Sequence, residues 1–310
     1  MPYLGEICAL LTAVCWTASS SAFAVASRAV GPLPANHFRL CVALPLLLGL
    51  SFLLHGEVWP LQASSHQLGL LVASGLAGLV LGDLGYFHAL AKIGPRLCSV
   101  IMACWPACTV AMEAALGRVP DAIGLGGIAL TMVGVTLVLL RSGDRAAWNQ
   151  HLTARQWLRG IAGARLGAVG QALGFVLAGF GMAADAPAPA VAPLACTVVR
   201  MATAVVGLQC VLSLQAQPLA LRRVFGDRVA MRAAMLGALF GPIGGVWLSM
   251  IARASAEASH RTGVVSALMA TTPIFMMPLA WLLYRARVGW LGAVGTLLAV
   301  GGVAVCFVAR

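Results

Sequence analysis

SVIMACWP at Ser99–Pro106 and SALMATTP at Ser266–Pro273 are one pattern, S-x-x-M-A-x-x-P, written twice 167 residues apart. Each copy lies in a long apolar run, where a proline withholds one helix hydrogen bond and its ring crowds the preceding turn. Two further markers repeat with it. Gly82 and Gly85 find counterparts in Gly241 and Gly244, and Arg39 finds one in Arg200. The markers agree on an internal duplication with five apolar runs in each half. A unit with an odd number of bilayer crossings must enter the membrane in opposite directions in its two copies.

Composition supports a membrane setting. The 310 residues are 61% hydrophobic and 9% charged, with mean hydropathy +0.94, too few polar side chains to coat a soluble globule. A helical crossing needs roughly 20 mostly apolar residues. Such runs fall at 6–27, 36–54, 67–90, 97–117 and 122–141, and again at 161–183, 190–213, 231–252, 263–284 and 288–308. The runs are continuous rather than alternating, which excludes a barrel. The reading is an all-α integral membrane protein, ten transmembrane helices in two inverted five-helix repeats, residues 1–141 and 161–310, joined by a polar linker at 142–160. Inverted repeats of this kind build secondary transporters, with the substrate site between the halves near the bilayer midplane.

The net charge of +11 does not point to nucleic acid, because the basic residues are distributed by loop. Loops after the odd-numbered runs, with adjoining helix ends, hold 14 of the 20 Lys and Arg, among them Arg28, Lys92, Arg159 and Arg222. The other side holds Arg118, Arg253, Arg261 and Arg310, and Arg39 and Arg200 lie within runs. The positive-inside rule then puts both termini outside. The first run is expected to be retained and not cleaved, since Glu6 and the absence of Lys or Arg make a poor signal n-region. The nine cysteines, all in apolar runs without CxxC spacing, read as small buried hydrophobes, and no metal or other cofactor is expected.

Trp16 in the first run, Arg39 opening the second, Gly82–Leu90 (GDLGYFHAL) and the proline-centred fourth and ninth runs resemble the EamA-type branch of the drug/metabolite transporter superfamily. The resemblance spans the chain and implies a ten-helix, two-repeat carrier of small organic solutes, often an exporter. One departure concerns the ends of the fourth and ninth runs. Where the family often has Leu-Gly-Glu, this chain has Leu116-Gly117-Arg118 and Leu283-Tyr284-Arg285. The resemblance also implies cytoplasmic termini, against the charge count.

Ionisable groups in a bilayer core cost about 2.5–3.5 kcal/mol on insertion scales, so each needs a reason. Asp83 shares a helical face with Tyr86 and Phe87, and is read as a site for a cationic group or a proton, or as the partner of a neighbouring helix donor. Glu113 and His88 are the other proton-coupling candidates, against the plainer readings of a snorkelling acid and a polar helix end. Arg200, deep in its run, suits a substrate carboxylate or phosphate. Arg39 is read as an anchor. Trp16, Trp105, Trp247 and Thr271 complete the candidate substrate-binding set, and Pro106 and Pro273 are expected to kink their helices.

No nucleophile elbow, phosphate loop or H-E-x-x-H motif is present, so no enzyme is expected. The expected function is alternating-access transport of small organic metabolites, such as amino acids or related compounds, outward across a bacterial inner membrane, with a passive channel or facilitator as the alternative and a membrane-embedded enzyme behind it. Partners are the solute and the lipid bilayer, and a homodimer stays open. Alkaline phosphatase fused after Arg310 is expected to be active and a fluorescent protein there dark; the reverse pattern refutes outside termini.

Overall fold

A computed structural model describes residues 3–118, 121–141, 153–257, 261–272, 274–275 and 290–308. Over them the chain is helical. Helices α1 (Leu4–Val30) and α2 (Pro32–His55) meet at Gly31, whose φ of +90° is a conformation open to glycine, and Pro32 then starts α2 where its missing N–H is not needed. There follow α3 (Ser65–Gly75), a π-helical segment π1 (Leu76–Gly82) and α4 (Asp83–Met102).

The backbone keeps helical turns from Asp83 to Met102, yet α4 is not straight. Cys98 Sγ donates to the Tyr86 carbonyl at 3.6 Å, whereas twelve residues along a straight helix span about 18 Å. The chain doubles back between them, in the stretch carrying Gly94 and Pro95, the pair least suited to continuing a helix. The turn expected after residue 90 is therefore present.

The remaining helices are α5 (Trp105–Ala115), α6 (Ala122–Arg141), α7 (Ala154–Met182), α8 (Pro193–Leu214), α9 (Leu221–Gly226), α10 (Arg228–Ala238), a second π segment π2 (Leu239–Val246), α11 (Trp247–Glu257), α12 (Thr262–Met269) and α13 (Trp290–Val308). Among the described residues six stretches are long and apolar enough to cross a membrane: Leu4–Val30, Pro32–His55, Ser65–Ala89, Ala154–Met182, Pro193–Leu214 and Arg228–Ala256. Ala122–Leu137 and Val294–Cys306 are shorter apolar helices. The start of α7 lies earlier than the expected 161, because Thr153 and Gln156 form a reciprocal cap.

The duplication is visible in the backbone. The fourth run is interrupted at Ala103–Cys104 and the ninth at Ala270–Thr271, again 167 residues apart. Pro106 accordingly does not kink a continuous helix as expected; it stands in the first turn of α5, after the break. Pro273 lies outside the described residues. A proline at 273 has no N–H for the Met269 carbonyl, and Thr272 Oγ1 donates to that carbonyl at 2.9 Å.

A shift of 163 residues carries π1 onto 239–245, against the observed Leu239–Val246. Gly78 and Gly241 correspond on this register, and the glycine matching expected from sequence is displaced by one helical turn. Across the halves, α1 packs along α10, π2 and α11, and α7 packs along α3, π1 and α4; α2 meets α8, α5 meets α12, and α6 meets α13. Interchanging the halves carries each contact onto another. Ser19 Oγ donates to the Gly237 carbonyl between α1 and α10, and Ser74 Oγ to the Gly174 carbonyl between α3 and α7.

Helices α6 and α13 run antiparallel. Gly134 faces Gly295 and Ala299, while Gly302 faces Gly127 and Thr131. A Cβ on Gly134 would overlap the backbone of Ala299. Gly134→Val is expected to cost about 1–3 kcal/mol by overpacking and to lower the melting temperature in nanodiscs. Gly49→Val, with nothing within 4 Å of its Cβ, serves as the near-neutral control.

Candidate functional site

Asp83 is the first residue after π1, and α2 brings Asn36 and Arg39 to it from one helical face. Arg39 Nη2 lies 3.3 Å from Asp83 Oδ2 and donates to Asn36 Oδ1 at 2.6 Å; Asn36 Nδ2 donates to Asp83 Oδ2 at 3.3 Å. Arg39 Nη1 donates to Ser19 Oγ at 3.5 Å, and the guanidinium stands 5.4 Å from the Phe23 ring centre and 5.9 Å from that of Phe87. The three side chains close a ring of hydrogen bonds. Asp83 thus pairs with Arg39 of its own half and not with Arg200. Tyr86, one turn on, packs against Phe87 at 5.1 Å. His88 is exposed and takes no part in this ring.

Arg200 is 2% exposed. Its Nη1 donates to Met250 Sδ at 3.0 Å and its Nε has no hydrogen-bond partner. Glycine at 78 admits it, since a Cβ there would stand 3.2 Å from Nη2. Trp16 meets the Trp105 ring edge-on at 6.5 Å, and Trp105 meets Phe175 at 5.6 Å. Trp247 packs in a second apolar cluster beside α2 and α8. Thr271 is buried and its hydroxyl donates to the Leu268 carbonyl at 2.6 Å.

Glu113 does not snorkel to water. It is buried and paired at 3.0 Å with Arg253 of α11, which is fully buried. Arg253 Nε also donates to the Phe175 carbonyl at 3.2 Å, and its guanidinium lies so close over Gly179 that any Cβ there would overlap it. Sequence reading left Arg253 in a loop by ending its run at 252. Spacing from Met250 would have found it, because i and i+3 share a face and the helix continues to Glu257. Glu6 of α1 likewise pairs with Arg261, which also donates to the Cys306 carbonyl of α13. Both of these pairs join one half to the other.

The two sets of charges lie toward opposite ends of the bundle. Gly5 of α1 faces Ser255, two residues from Arg253, and Ser19 faces Gly241, against which Arg39 packs. Fourteen residues of helix between them span about 21 Å. Trp16, Trp105, Trp247 and Arg200 occupy intermediate levels. Two cavities, about 280 Å³ lined by His66, Phe180 and Asp185 and about 290 Å³ lined by Tyr3, Glu6, Ser255 and Arg261, include neither Asp83 nor Arg200.

The family model of the EamA-like transporter family matches residues 3–140 and again residues 152–308. The chain belongs to the EamA-like transporter family. This family is one of transporters, not enzymes, and the doubled match falls on the two halves that the backbone pairs. No curated protein matches the EamA-like chain. A solved structure described as "Crystal structure of protein" is similar in fold, with TM-score 0.74 and 17% identity over 100% of this chain and 98% of that one.

Removing one member of a buried ion pair strands the other charge and costs about 3–5 kcal/mol, whereas an apolar replacement of both is nearly neutral. Glu113→Gln is therefore expected to destabilise this EamA-like protein more than Glu113→Leu combined with Arg253→Met, read by thermal unfolding in nanodiscs.

Proposed function

We propose that the chain is a secondary transporter of ten membrane-spanning helices in two inverted five-helix repeats, exporting small organic metabolites, such as amino acids or related compounds, across an inner membrane by alternating access. The observation that carries the reading is the interchange of helix contacts between halves, with α6 and α13 antiparallel, and a charge cluster toward each end of the bundle. Antiparallel packing of corresponding helices is what inversion of the repeat requires. The solute site lies between the clusters, lined by Arg200, Trp16, Trp105, Trp247 and Thr271, with Asp83 and Tyr86 at its border.

Asp83 is the proton-coupling group in this reading. Among the described residues the other acids inside the spans are already paired: Glu113 holds Arg253 and Glu6 holds Arg261. Protonation of Asp83 frees Arg39 from its carboxylate and loosens α2 from α4, which links a proton to a helix movement. The polar linker faces the cytoplasm. A homodimer is compatible with this function and not required by it.

In proteoliposomes, labelled amino acids are expected to show saturable counterflow, which a carrier gives and an open pore does not. Asp83→Asn keeps hydrogen bonds for Arg39 and Asn36, so folding is expected to persist while the response to an imposed pH gradient disappears. Flux that never saturates identifies a facilitator, and an unchanged gradient response in the variant removes Asp83 from the coupling.

A further inference from the structure

We propose that Arg200 recognises the carboxylate of the transported solute, so that the substrate class is small organic carboxylates; this rests on the carrier reading above. The argument is a comparison of two arginines in one molecule. A shift of 161 residues carries Arg39 onto Arg200, and the shift of 163 that superposes π1 and π2 carries Phe87 onto Met250 and Gly78 onto Gly241. The contacts follow these shifts. Arg39 stands over the Phe87 ring while Arg200 touches Met250 Sδ, and a Cβ on Gly241 would lie 3.2 Å from Arg39 Nη1 while one on Gly78 would lie 3.2 Å from Arg200 Nη2. The two guanidinium groups occupy equivalent places.

Their surroundings differ in one respect. Arg39 has Ser19, Asn36 and Asp83 as partners. The serine bonds described between the halves put Ser19 opposite Gly174, and the same shifts put Asn36 opposite Thr197 and Asp83 opposite Val246. Gly174 and Val246 carry no polar side chain, and the Thr197 hydroxyl donates to the Pro193 carbonyl. The second half has kept the arginine and none of these three hydrogen-bonding partners, and the nearest carboxylate acting on it is Asp83 of the first half, which is hydrogen-bonded to Arg39 and not to Arg200.

Arginine cannot shed its proton inside a protein, and a guanidinium out of water needs an anion or a set of acceptors. Arg200, 2% exposed, has a thioether; its Nε is unpartnered, as are those of Arg39 and Arg261, so what sets it apart is the want of a carboxylate at its Nη atoms. Were it scaffold, its charge would be answered as those of Arg39, Arg253 and Arg261 are. The carboxylate missing at position 246 is the one the solute brings, held by the planar fork that suits that group. A single guanidinium favours a monoanion, and Met250 and Cys196 beside it belong to the apolar cluster of Trp105 and Phe175, which suits an apolar body on the acid.

The test uses the full chain in nanodiscs, with thermal shift and tryptophan fluorescence as readouts and acetate, 3-phenylpropionate, their amides, phosphate and chloride as probes. A carboxylate is expected to bind at least about tenfold tighter than its amide. Arg200→Gln loses that preference and Arg200→Lys restores part of it. Val246→Asp supplies the missing acid from within, and is expected to raise the melting temperature of the empty protein and abolish carboxylate binding. Equal response to acid and amide, a preference for phosphate or chloride, or carboxylate binding unchanged in Arg200→Gln and Val246→Asp overturns the proposal. Saturable counterflow without acid preference rejects this inference and leaves the carrier; acid preference without counterflow does the reverse.

Discussion

Lipid tails are as apolar as leucine, so helices in a bilayer gain little by hiding from their surroundings and associate through close packing and hydrogen bonds. In this chain the close packing is made at glycines. Gly78, Gly82, Gly170 and Gly174 let π1 lie against α7, and Gly237, Gly241 and Gly245 do the same for π2 against α1. Between π1 and α7 backbone meets backbone, between π2 and α1 the glycines make room for Ser19, Trp16 and Arg39, and at both places a serine hydroxyl reaches a carbonyl of the facing helix. The charged side chains depend on this, because Arg39 and Arg200 each extend over a glycine of the opposite half.

The arginines and acids then obey one economy of charge with one exception. Where a guanidinium is buried, a carboxylate from another helix stands beside it: Asp83 for Arg39, Glu113 for Arg253, Glu6 for Arg261. Two of the three join the halves and lie toward the same end, so that end is fastened in this conformation. The third joins helices of one half. At the other end the halves meet through the Ser19–Gly237 hydrogen bond and the packing of Arg39 over Gly241, with no ion pair between them among the described residues.

Much of this was readable from sequence because apolar runs and their duplication are properties of composition and spacing. The repeated proline marked where the fourth and ninth runs are disturbed, although a kink was expected there and the helix breaks instead, with Pro106 in the first turn of α5. The family resemblance and the membrane class stand on the same ground. What could not be read was pairing. Asp83 could reach a donor on any neighbouring helix, and only the packing of α2 decided for Arg39. Arg253 was misplaced because hydropathy ends a run where the first charge appears, although a charge with a partner can sit further in. The glycine register slipped by a turn because several glycines recur at similar spacing, and only their contacts distinguish them.

The interruption at Ala103–Cys104 makes α5 mechanically separate from α4. Its eleven residues form a stiff rod with Trp105 at the pivot, wedged between Trp16 and Phe175, and Glu113 near the free end. Glu113 stands about 13 Å from the break, so a tilt of about 15° there carries its carboxylate about 3 Å. That is the whole length of its ion pair with Arg253. The broken helix is thus a lever with a short throw: swinging α5 opens the Glu113–Arg253 pair, while the Glu6–Arg261 pair on α1 keeps its hold at that end.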